Sequence, residues 1–111
     1  MSAADAAGSQ TFDVGSVTEF PEDSITERTV GGIEIVVINQ GGAFYALPDR
    51  CTHQHYPLHD GELLEGKVKC IHHGATFDLS TGRATLPAVK KIQLFQATRE
   101  GDRVMVTLQE V

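Results

Sequence analysis

Cysteine is scarce in this chain, with two residues in 111. A pair taken up by a metal leaves nothing for a structural disulfide, and that economy fits a reducing cytosol. Long apolar runs are also missing. No stretch approaches the roughly 18 consecutive apolar residues of a membrane span. Met1 to Gln10 lacks both the basic start and the apolar core of a secretory signal, and no twin arginine stands near the front. The expectation is a soluble, cytoplasmic protein with no membrane partner. Basic residues are outnumbered, nine Lys and Arg against fifteen Asp and Glu, for a formal charge of -6. The average surface therefore repels nucleic acid and favours a partner with a basic patch. No G-x-G-x-x-G run follows a strand to hold a nicotinamide. Nor does any stretch sustain the 3.6-residue apolar period of a helix.

What the chain does have is crowded between Cys51 and Gly82. Both cysteines, all five histidines and four glycines fall there. Cys51 and His53 form C-x-H, Cys70 and His73 form C-x-x-H, and sixteen residues lie between the boxes. Thiolates select zinc, copper(I) or iron-sulfur clusters, and imidazole suits zinc and iron. A structural zinc site commonly keeps one ligand type per box, C-x2-4-C and then H-x3-5-H. Mixed boxes suit a two-iron cluster better, with both sulfurs on one iron and both imidazoles on the other. His55, His59 and His72 are read as a solvated loop residue, a turn residue and a side chain packed beside the metal. Asp49, Asp60, Glu62 and Glu65 flank the boxes, either as charges that steer a basic partner or as solvated loop charges.

Turn signals recur every eight to twelve residues, the pattern of a small β-sandwich or barrel. Strands are expected at 11–17, 27–30, 33–39, 43–47, 67–70, 76–79, 89–98 and 103–108. Gly31-Gly32 and Arg99 to Asp102 mark hairpins. Glu62 to Gly66 is too short for a helix and is left without an element.

The C-x-H-x16-C-x-x-H arrangement, the following run His73-Gly74-Ala75-Thr76-Phe77-Asp78-Leu79-Ser80-Thr81-Gly82, and Leu58, Gly61 and Pro87-Ala88 resemble the Rieske 2Fe-2S signature. Ile71 stands where many members have proline and His72 where an aromatic is common, and neither removes a ligand. The resemblance implies an all-β fold: a Rieske-like antiparallel β-sandwich base with a small inserted cluster-binding subdomain at residues 46–86. The chain, 1–111, would be one domain with a flexible tail at 1–10. One 2Fe-2S cluster would be held by Cys51, His53, Cys70 and His73.

Rieske centres lie at about -150 to +300 mV, against about -400 mV for plant-type ferredoxins, because histidine ligation leaves the oxidised assembly neutral. High-potential members carry an extra cysteine in each box and hydroxyls that donate to the cluster. Here Tyr56, His72, Ala75 and Phe77 take those places, which implies the low end of the range. That pattern resembles the ferredoxin component of aromatic-ring-hydroxylating dioxygenase systems. The implied role is a monomeric one-electron carrier between a flavin-containing NAD(P)H-dependent reductase and a terminal oxygenase, with no catalysis of its own. The alternatives are a Rieske-type small subunit of a nitrite reductase and a structural zinc-binding interaction module.

Overall fold

A computed structural model describes residues 9–50, 57–71, 74–85 and 91–109. The third strand, β3 (Ile33–Gln40), explains the layering. Four consecutive residues of it, Ile35, Val36, Val37 and Ile38, expose no surface. Successive side chains of a strand point to opposite faces, so an unbroken buried run requires cover on both. Ile35 and Val37 enter a core with Phe20, Ala46, Val104 and Val106. Val36 and Ile38 enter a second core with Leu47, Leu58, Val68, Cys70 and Phe77.

Three antiparallel sheets supply the layers. In the middle sheet β3 pairs with β2 (Ser24–Val30) and β4 (Ala43–Pro48). On one side lies a sheet in the order β1 (Ser9–Ser16), β9 (Arg103–Gln109), β8 (Gln96–Glu100). On the other lies a small sheet in the order β5 (Glu62–Leu64), β6 (Lys67–Lys69), β7 (Thr76–Asp78). The turn between β2 and β3 is Gly31-Gly32, with φ of 56° and 80°. Both values lie in the left-handed region that a two-residue type I′ hairpin demands, and Cβ-bearing residues resist it.

Side chains and main chain stitch the layers together. Gln40 donates to the Leu64 carbonyl at 2.7 Å and accepts from the Gly66 N–H at 2.8 Å, so the end of β3 holds the β5–β6 hairpin. The segment before β8 crosses all three layers, with Ile92 N–H donating to Gly82 and Phe95 N–H to Ala46, both at 2.8 Å. That crossing explains a difference from the sequence reading. Lys91 to Leu94 is not strand, because its backbone partners come from different elements. Of the strand expected at 89–98, only Gln96 to Thr98 is realised within β8, and 89 and 90 lie outside the described residues. Three more differences concern length. Glu62–Leu64 is a strand, β2 begins at Ser24, and β1 begins at Ser9, inside the stretch expected as a flexible tail. Among the described residues no helix is long and apolar enough to cross a membrane.

Candidate metal centre

Of the four expected ligands, Cys70 lies among the described residues; Cys51, His53 and His73 lie outside them, as do His55, Tyr56 and His72. Cys70 follows β6 directly and is 1% exposed, its thiol facing the core of Val36, Leu58, Val68 and Phe77. Two main-chain bonds close the loop that it opens. Cys70 N–H donates to Ala75 at 2.8 Å, and Gly74 N–H donates back to the Cys70 carbonyl at 2.9 Å. Gly74 has φ of 81°, and a Cβ there would meet nothing nearer than 3.9 Å. Glycine is thus required by backbone conformation, not by space. Beside Cys70, Ile71 is 55% exposed, an apolar side chain left in solvent on the same loop.

Downstream, the Phe77-Asp78-Leu79-Ser80-Thr81-Gly82 run has a plain physical reading. Phe77 is fully buried. Asp78 Oδ1 accepts from the Ser80 N–H, the Ser80 hydroxyl and the Thr81 N–H at 2.8, 2.7 and 3.1 Å. These donors hold the Asp78 carboxyl below the usual carboxylate range, the Ser80 hydroxyl contributing most. Gly82 turns the chain with φ of 78°.

The segment leading to and from the first box is fixed by Asp49. Its side chain is 4% exposed. Oδ1 accepts the N–H groups of Leu58 and His59 at 2.7 and 2.8 Å, and Oδ2 accepts from His59 Nδ1 at 2.6 Å. The chain before the first box and the chain after it, at Leu58 and His59, therefore meet on one carboxylate. Asp49 is anchored in turn, its N–H donating to Glu34 of β3 at 3.0 Å. Hydrogen bonding to Asp49 raises the His59 pKa above its ordinary value, opposed by burial and aided by the charges of Asp49, Glu27 and Asp60. The chain leaving the first box and the chain entering the second meet at Gly61, where a Cβ would sit 2.5 Å from the Lys69 carbonyl oxygen. Lys69 immediately precedes Cys70, so this glycine permits the exit of the first loop to touch the entry of the second.

Sequence reading missed Asp49 and His59. It took Asp49 as a solvated or steering charge, whereas the carboxylate is buried; it took His59 as a turn residue, which it is, but not as the ring bonded to Asp49. No local pattern marks such a pair, since its partners are nine and ten residues away. Asp60, Glu62 and Glu65 are exposed, as a solvated or steering role requires.

Comparison with known proteins decides the family. A family model described as the Rieske [2Fe-2S] domain matches residues 10–96. The chain belongs to that family. Within it, this Rieske chain is 34% identical over 98 residues to the ferredoxin component of the naphthalene 1,2-dioxygenase system of Pseudomonas aeruginosa, covering 87% of this chain and 94% of that one. It is 41% identical over 76 residues to the ferredoxin component of biphenyl 2,3-dioxygenase of Rhodococcus jostii, covering 68% and 71%. A chain in the solved complex of reduced oxygenase and oxidized ferredoxin of carbazole 1,9a-dioxygenase superposes with a TM-score of 0.82 at 25% identity, covering 91% and 96%. This chain accordingly carries one Rieske-type 2Fe-2S cluster and is an electron carrier rather than a catalyst. The described residues fit such a group. A buried, soft thiol directly follows β6 ahead of the left-handed Gly74, and Gly61 packs against the carbonyl of Lys69 just before it.

Proposed function

We propose that this chain receives single electrons from a flavin-containing NAD(P)H-dependent reductase and delivers them to a terminal ring-hydroxylating dioxygenase in the cytoplasm. Cys51 and Cys70 would hold one iron, and His53 and His73 the other. When bound, the cluster supplies reversible one-electron chemistry at a potential that histidine ligation raises above that of plant-type ferredoxins. The protein's own residues do the rest. Cys70 gives a thiolate from a buried, hydrogen-bonded loop, Asp49 closes the other loop, and Val36, Leu58 and Phe77 keep water from the Cys70 side.

The observation that carries this reading is the placement of Cys70. It is buried at the head of a locked loop, in a chain that matches a dioxygenase ferredoxin component over nearly its whole length. The exposed Ile71 on that loop supports docking at this end, since weak electron-transfer encounters need only a modest patch, under about 1,200 Å².

Reconstitution tests the proposal. With a flavin reductase and a ring-hydroxylating oxygenase, hydroxylated product should form only when this chain is present. Equal turnover without it, or a colourless protein loaded with zinc, overturns the reading. Cys70→Ser should remove the visible spectrum and the paramagnetic signal of the reduced form. His73→Ala should do the same and His72→Ala should not; the reverse pattern would move the ligand by one residue.

A further inference from the structure

Resting on the reading that the first loop carries Cys51 and His53, we propose that Asp49 is a positioning residue for that loop. Its carboxylate clamps both ends, and His59 and Glu27 brace the clamp against the middle sheet.

The geometry is specific. Asp49 lies two residues before Cys51, and its Oδ1 takes two consecutive main-chain N–H groups, Leu58 and His59, on the far side of the loop. A carboxylate receiving two N–H groups on one oxygen and a ring nitrogen on the other cannot rotate without breaking all three bonds. Its side chain is 4% exposed, so water does not replace a lost partner cheaply. His59 Nδ1 also lies 3.4 Å from Glu27 Oε2 and His59 Nε2 lies 3.6 Å from Asp60 Oδ1. Glu27 belongs to β2, and the Asp49 N–H is bonded to Glu34 of β3. The loop is thus referenced to two strands of the middle sheet. Gly61 N–H closing on the Leu58 carbonyl at 2.8 Å fixes the residue that Asp49 grips.

Ligand geometry in a metal site depends on such outer contacts, and losing one typically weakens metal binding about 10- to 100-fold. The three acids around His59 would also suggest a second cation site, but the Asp49 oxygens are already committed to protein donors, and nothing points to an ion.

The experiment uses the cluster-loaded protein. Asp49→Ala, Asp49→Asn, His59→Ala and, as a control on the same subdomain, Glu62→Gln are compared with the native chain. Measured are iron and sulfide per chain, the rate of iron loss to a chelator, the paramagnetic line shape of the reduced form and the midpoint potential. Asp49→Ala should lose iron about tenfold faster or more, with a broadened or shifted signal. Asp49→Asn keeps an oxygen for the two N–H groups and should restore most of the retention. His59→Ala leaves the Oδ1 bonds in place and should give an intermediate rate. Glu62→Gln should match native in every measurement.

Equal iron loss in Asp49→Ala, His59→Ala and native protein overturns the proposal. If Asp49→Ala does not fold, native iron retention and line shape in His59→Ala overturn it. A native chain without iron and sulfide would instead sink the cluster reading itself, so the two failures are distinguishable.

Discussion

His59 is the described histidine whose charge the fold commits. Its pKa is raised above the ordinary value of about 6.5, first by the hydrogen bond to Asp49 and then by the charges of Asp49, Glu27 and Asp60, against the opposing pull of burial. A group whose folded pKa lies above its unfolded one contributes stability that is fully present below the unfolded value. That contribution is lost as pH rises through the folded value. Native protein should therefore lose part of its urea resistance as pH rises from the ordinary histidine range through the raised value of His59. His59→Gln should show a flatter profile, and identical profiles for the two would contradict the assignment. Gly61 makes a second prediction at this scale. A methyl group there would sit 2.5 Å from the Lys69 carbonyl and 2.9 Å from the Leu58 carbonyl, closer than real contacts allow, and both are rigid backbone. Gly61→Ala should cost about 1–3 kcal/mol, read as a lowered urea midpoint. A turn glycine chosen only for convenience would tolerate the change.

β3 is the element that makes three sheets into one molecule. Had it been an ordinary sandwich strand with one wet face, its sequence would alternate apolar and polar, but Ile35-Val36-Val37-Ile38 does not. Ile35 and Ile38 lie in different cores, on opposite faces of the strand. Ile35→Ala and Ile38→Ala should each cost about 2–5 kcal/mol in denaturant titrations. A near-neutral result for either would mean that its face is not closed. The same run shows the reach of pattern reading. β-branched residues and flanking glycine pairs made the strand legible, and the meander β2-β3-β4 with it. The double burial was there to be read as well, yet periodicity cannot name the partner on each face. β5 was missed for a related reason. Three residues carry too little pattern to mark a strand, and Glu62–Leu64 becomes one because β6 and the Gln40 side chain supply its partners.

At the level of the whole molecule, two cores share one middle sheet, so the cluster-bearing end and the sandwich base should not unfold separately. Visible absorbance and far-ultraviolet circular dichroism are expected to fall together in urea. Two separated transitions would show that the subdomain is independent. The formal charge of -6 makes a further prediction. If a basic surface on the oxygenase is steered toward this one, the second-order rate of electron delivery should fall as salt is raised from about 0.05 to 0.5 M, where the screening length shrinks to a few ångström. A rate indifferent to salt would leave the exposed acids Asp60, Glu62 and Glu65 as solvated charges.

The sequence by itself determined the chemistry and the class. Thiol and imidazole in mixed boxes, a glycine after the second box, an Asp-x-x-Thr-Gly turn and closely spaced turn signals are local facts, set by donor type, by φ and by hydrogen bonds spanning a few residues. Only the tertiary structure decided what packs around the residues on either side of the two boxes. The Asp49 clamp, the Gly61 contact with Lys69 and the double-faced β3 all join residues distant in the chain. A carboxylate on a loop looks the same in sequence whether water or three protein donors surround it, because burial is a property of the packed layers and not of the residue.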